Sequence, residues 1–128
     1  MNLIYAHKIL KGRYGMLLTD LAKLLNAEVL SFQENLTREV KTACGSDLMS
    51  DVLAYAMGKQ MLITGLVNPQ VIRTAEMLDI FIVVFVRGKK PTPEMLELAE
   101  EKHMTLMSTE RTMYQACGIL YENGIGRV

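Results

Sequence analysis

Ile80-Phe81-Ile82-Val83-Val84-Phe85-Val86, followed at once by Arg87-Gly88-Lys89-Lys90-Pro91-Thr92-Pro93, is the stretch on which the fold turns. The apolar run has no polar alternation, which is the pattern of a strand covered on both faces. It is far too short to span a bilayer. The charged, glycine- and proline-marked segment behind it ends the strand, and Thr92-Pro93 then opens a helix. A threonine there caps the first turn, and proline suits the first helical position because its missing N–H is not needed. A covered strand that hands over to a helix is the repeating unit of a parallel sheet. Residues 80–86 are therefore predicted to be the centre of one.

Working outward, the same handover recurs. A strand over 38–44 runs into Cys44-Gly45-Ser46-Asp47, one over 60–64 into Thr64-Gly65-Leu66-Val67-Asn68-Pro69, and one over 104–107 into Met107-Ser108-Thr109-Glu110. The helices between them show apolar residues at helical spacing. These are Leu48, Met49, Val52, Leu53 and Ala56, ending at Gly58; Val71, Ile72, Ala75 and Leu78, capped by Asn68; Met95, Leu96 and Ala99, ending near Lys102. In the last helix Met113, Ala116, Cys117 and Leu120 share a face, Ser108 or Thr109 is the expected cap, and Gly124 suits a left-handed stop. Upstream, Thr19-Asp20 caps a short helix stopped at Asn26, 27–32 alternates as a strand, and 33–37 is a turn. Residues 1–15 read as weakly helical or extended.

The expectation is an α/β fold: a single three-layer α/β/α domain over 19–128 with a mostly parallel sheet and right-handed crossovers, preceded by a segment, 1–18, whose pattern defines no element. If the strands are parallel, the four junctions crowd along one sheet edge, where α/β proteins place ligands.

Composition narrows the function classes. The chain has 128 residues, half of them apolar, with 14 basic and 14 acidic side chains. That is the size of one domain with a real core, and the charge balance argues against nucleic-acid binding through bulk positive charge. No signal-peptide pattern opens the chain and no apolar run is membrane-length, so a cytoplasmic location without a membrane partner is expected. Cys44 and Cys117 lie far apart, with His7 and His103 the only histidines. No zinc or iron–sulfur spacing exists, no cofactor is implied, and buried free thiols are the expected state. The phosphate loop, the dinucleotide fingerprint, the nucleophile elbow and the His-Glu-x-x-His motif are all absent from the sequence.

The candidate ligand-binding residues are Ser46, Asp47, Asp51, Thr64, Gly65, Arg87, Lys89 and Thr109, all at the strand ends. Helix starts present unpaired N–H groups and partial positive charge, so several along one edge form an anion cradle. Each residue also has a purely structural reading. Asp47 and Asp51, four apart, could hold a hydrated Mg²⁺ or ribose hydroxyls, or simply complement a helix dipole. Ser46 and Ser50 could be caps. Thr64-Gly65 permits close approach of backbone to a ligand or a tight turn. Arg73 could reach an anion or pair with Glu76. Arg87-Gly88-Lys89-Lys90 is the one local concentration of positive charge and is best placed to meet a phosphate or carboxylate. The methionines read as core filling, Tyr114 and Tyr121 as an exposed stripe usable in dimerisation, and His103 lacks a carboxylate partner in sequence.

The runs Gly45-Ser46-Asp47-Leu48-Met49-Ser50-Asp51-Val52-Leu53, Leu62-Ile63-Thr64-Gly65, Arg73-Thr74-Ala75-Glu76-Met77, Val86-Arg87-Gly88-Lys89 and Ala116-Cys117-Gly118-Ile119-Leu120-Tyr121 together resemble the DRTGG domain family over about residues 19–125. The family's eponymous string is absent; Ser46 to Asp51 and the Thr64-Gly65 turn stand in the equivalent region, as in a divergent, stand-alone branch. The resemblance implies a fold like the N-terminal domain of HPr kinase/phosphorylase. It also implies a regulatory or dimer-forming role, since such domains accompany nucleotide-sensing CBS domains in some pyrophosphatases and precede the catalytic part of some phosphotransacetylases. The expected function is a non-catalytic regulatory domain, acting as a homodimer or on a partner protein, with a nucleotide or phosphorylated metabolite as ligand. The alternatives are a small Mg²⁺-dependent enzyme using Asp47 and Asp51, or a purely structural dimerisation module.

Overall fold

A computed structural model of the chain describes residues 15–126. The N-terminal reading over 1–15 falls, Gly15 apart, outside the described residues. In chain order the elements are β1 (Met16–Leu17), α1 (Leu18–Leu24), β2 (Glu28–Val29), a 3-10 turn (Gln33–Thr37), β3 (Glu39–Val40), β4 (Ala43–Gly45), α2 (Met49–Tyr55), β5 (Met61–Thr64), α3 (Pro69–Met77), β6 (Ile82–Phe85), α4 (Pro93–Glu101), β7 (Thr105–Ser108) and α5 (Met113–Glu122).

The main sheet has five strands in the order β2-β7-β6-β5-β4. β4 to β7 are parallel, with Leu62 level with Val83 and Val83 with Leu106, and β2 is antiparallel to β7. The apolar run of residues 80–86 supplies the central strand, as its unbroken hydrophobicity requires. Because the parallel strands lie in sequence order, right-handed crossovers carry α2, α3 and α4 over the same face. There Leu62, Val83, Phe85 and Leu106 pack with Val52, Val71, Ile72, Ala75, Met95 and Ala99. The strand residues of opposite parity, Met61, Ile63, Ile82, Val84 and Met107, face the other way and pack with Leu18, Leu21, Leu25, Ala116 and Leu120 of α1 and α5. The β1–β3 ribbon joins this second core through the facing pair Met16 and Val40. The three-layer α/β/α architecture stands.

Several local expectations are corrected. The segment 38–44 is not one strand but β3 and β4, in different sheets, because Lys41 N–H turns aside to Gln60 Oε1. The strand over 27–32 shrinks to Glu28–Val29, and Phe32 adopts a left-handed conformation with its N–H given to Glu100. α1 starts at Leu18 without a side-chain cap, although Asn26, left-handed at φ 51°, stops it as expected. Asn68 and Thr92 cap α3 and α4 as predicted. The cap of α5 is instead Thr112, in a reciprocal capping box with Gln115. Ser108 and Thr109 stand too far ahead of Met113, where α5 begins; their hydroxyls donate to Lys89 O and Leu25 O, and Thr109 Oγ1 accepts from Arg111 N–H instead of from the first turn of α5. Glu76 pairs with Lys102 at 3.2 Å, and neither ion pair among the described residues includes Arg73. In α2 only Val52 and Ala56 of the inferred face are fully buried; Leu48 and Leu53 stay exposed.

Candidate functional site

Parallel pairing of β4, β5, β6 and β7 brings their C-terminal ends to one edge of the sheet. All four junctions quoted above lie there, and so do all eight candidate residues except Asp51, which follows in the first turn of α2.

At the end of β4, the chain turns at Gly45 and Ser46. Ser46 Oγ accepts from Leu48 N–H at 3.1 Å, closing a local turn ahead of α2. Asp47 therefore stands before the helix, not on one of its faces with Asp51. Its Oδ1 accepts from Gly65 N–H at 2.6 Å and from Thr64 Oγ1–H at 3.0 Å. Thr64 Oγ1 in turn accepts from Leu66 N–H. This carboxylate latches the β4–α2 loop to the end of β5 and takes up the donors that a bound anion would otherwise use there.

At the end of β6, Arg87 has φ 56° and Gly88 φ 70°. An L-residue in the left-handed region carries strain, and here the turn is held by hydrogen bonds from Arg87 N–H to Arg111 O and from Gly88 N–H to Thr109 O, both 2.8 Å. The turn throws the Arg87 side chain sideways across the end of β5. A Cβ on Gly65 would stand 2.5 Å from Arg87 Nη2, so the guanidinium rests on the bare Cα. Arg87 is exposed, and the two ion pairs among the described residues, Lys90–Glu28 and Lys102–Glu76, leave it out. Lys89 is exposed two residues on. On the other side the Glu110 carboxylate covers Gly88, 2.6 Å from where a Cβ would be.

The end of β7 is structural. Thr109 is 2% exposed and its hydroxyl donates to Leu25 O at 2.6 Å, tying α1 to the sheet. It reaches the site only through its carbonyl, which fixes Gly88. The helix starts contribute less than expected, since Asn68, Thr92 and Thr112 each accept from an N–H of their own first turn. Among the described residues no three His, Cys, Asp or Glu side chains gather closely enough to share a metal ion. His103 precedes β7, at the opposite edge of the sheet, and stacks on Phe32 with ring centroids 4.7 Å apart. The edge thus presents a planar, always-charged fork beside a glycine, a geometry that is able to pair with an anion.

Sequence reasoning did not find a groove of about 450 Å³ between α5 and the open side of the sheet, lined by Cys44 and Gly45 and by Tyr114, Cys117 and Gly118. The signal available was the tyrosine spacing. Both thiols are free and half-buried there. Burial pushes each thiol up; for Cys44, Lys59 pulls down against it, and for Cys117 the neighbouring Cys44 adds to the rise.

Two comparisons bear on this arrangement. The crystal structure of the CBS and DRTGG domains of the regulatory region of Clostridium perfringens pyrophosphatase, complexed with the activator diadenosine tetraphosphate, is similar in fold. It superposes with a TM-score of 0.71 at 15% identity, over 84% of this chain and 47% of that one, so this chain spans about half its length. No curated protein matches the chain. Among the described residues no helix is long and apolar enough to cross a membrane. The DRTGG domain model matches residues 20–122, a stretch that includes all four strand-end junctions, and the chain belongs to the DRTGG domain family.

Proposed function

We propose that this chain is a non-catalytic regulatory domain that binds a phosphate-bearing small molecule at the strand-end edge. The observation that carries this reading is Arg87, an exposed residue outside both ion pairs among the described residues, held in a strained left-handed turn and laid across Gly65. Strain of this kind persists where surrounding structure over-determines it, and it concentrates at ligand sites. Arg87 supplies the bidentate contact to phosphate and Lys89 a second positive charge. Asp47 acts as the latch that shapes the β5 turn, with Ser46, Thr64 and Gly65 in the same loop pair. Thr109 fixes the turn through its carbonyl, and Asp51, exposed in the first turn of α2, is assigned here to ligand hydroxyls. Kinship with a regulatory region solved with a nucleotide activator favours a nucleotide over a simple sugar phosphate.

A thermal-shift and calorimetry panel of nucleotides, sugar phosphates and inorganic phosphate tests it, because a ligand that binds only the folded state raises stability by mass action. At least one phosphate-bearing compound is expected to stabilise the native chain and to leave Arg87→Gln unmoved. A flat panel at millimolar ligand, or an equal shift in Arg87→Gln, would count against the reading.

A further inference from the structure

At the edge opposite the strand-end site, where β5 and β6 begin, a groove of about 450 Å³ opens between the C-terminal ends of α2 and α3. It is lined by Met57, 78% exposed, and Met77, 71% exposed. The reading of the methionines as core filling fails for this pair. Two unbranched, polarizable side chains left in water in one groove make the adaptable kind of surface that re-packs around a bound partner. Half-buried Phe81 also lines the groove, and the Arg38 guanidinium lies over its ring with Cζ 3.5 Å from the centroid. At that separation the fork is flat on the ring, so its N–H edges point sideways. Its bond to Asn35 Oδ1 is a long 3.4 Å. Covering Phe81 accounts for the stack but not for the methionines. Lys59 adds a second cation and Asp79 one carboxylate, and neither ion pair of the described residues includes Arg38, Lys59 or Asp79. Two cations against one carboxylate leave the groove net positive. Methionine and arginine are also residue types that protein interfaces concentrate.

The occupant follows from exposure and charge. With both methionines mostly exposed, the groove does not enclose a small ligand, which needs most of its surface buried. A second copy docked by two-fold symmetry would press one net-positive patch against another. We propose that the groove docks an acidic, apolar segment of a partner protein, whose apolar side chains cover Met57 and Met77 and whose carboxylates meet Arg38 and Lys59. Fluorescence anisotropy on the full chain tests this with a short labelled peptide that alternates glutamate with leucine and phenylalanine. Two control peptides carry lysine for glutamate, or alanine for the apolar residues. The glutamate peptide is expected to bind, less tightly as salt rises, and the controls at least about tenfold more weakly. Met57→Glu and Met77→Glu, both at exposed positions and checked for fold by circular dichroism, should each weaken binding about tenfold. Arg38→Glu combined with Lys59→Glu should reverse the preference toward the lysine peptide. No binding of the glutamate peptide at millimolar concentration, equal binding of the alanine peptide, or unchanged binding in both methionine variants overturns the proposal. So does a native dimer in sedimentation velocity that Met77→Glu dissociates, which would give the groove to a second copy.

Discussion

Arg87 concentrates the argument at the scale of the residue. Its charge and its place after the central strand are visible in the sequence. Its left-handed φ is not, because arginine has no preference for that region and the glycine beside it would ordinarily absorb the turn alone. Replacement by glycine separates the two roles. Arg87→Gly should keep or raise stability by up to about 1 kcal/mol in urea unfolding, since the strain is released, while phosphate-dependent stabilisation disappears. Gly65→Ala asks the same question from the other side. The methyl group collides with the movable end of the Arg87 side chain and with no backbone atom, so stability should change by less than about 1 kcal/mol while the ligand response weakens. Glu110 fronts the same turn with a negative charge. Glu110→Gln should therefore strengthen phosphate binding, read as a larger thermal shift at equal ligand. Asp47 was legible as a carboxylate near a helix start, but its partners Thr64 and Gly65 lie 17 and 18 residues on, and no local pattern encodes that latch.

Among the elements, local chemistry predicted α3 and α4 through Asn68-Pro69 and Thr92-Pro93, where each cap and its target share one turn. It misplaced the cap of α5, although Thr112-x-x-Gln115 was present to be read. Two better-looking hydroxyls preceded it, and only the fold reveals that Thr109 is engaged 84 residues away with Leu25. Thr112→Ala should cost about 1 kcal/mol in urea unfolding, with the loss confined to stability and no change in ligand response. The split of 38–44 into β3 and β4 was likewise invisible, because it depends on Gln60 and on Gly126, whose N–H reaches Lys41 O. The antiparallel pairing of β2 could not be read either, since a short half-buried strand has one pattern in both directions.

For the whole molecule, the alternation of covered strands and amphipathic helices was enough to specify a parallel sheet between two cores. It was also enough to predict that the junctions share one edge. The groove at the α5 side depends on where α5 recrosses the sheet, which side-chain periodicity does not encode. Its two thiols make stability pH-dependent. Burial raises both, so the folded chain holds these protons more tightly than the unfolded one. The contribution is complete below the unfolded value of about 8.5 and is lost as pH climbs through the raised folded values. The urea midpoint should fall as pH rises above the ordinary thiol range, and fall less in a Cys44→Ser, Cys117→Ser variant.

The central claim, that the strand-end edge is a phosphate-binding regulatory site organised by Arg87, meets its most direct test in isothermal calorimetry of the native chain and Arg87→Gly against the nucleotide that most stabilises the native fold. Binding to the native chain, with none to an equally stable Arg87→Gly, is the predicted result. Equal affinity in both proteins would contradict the claim.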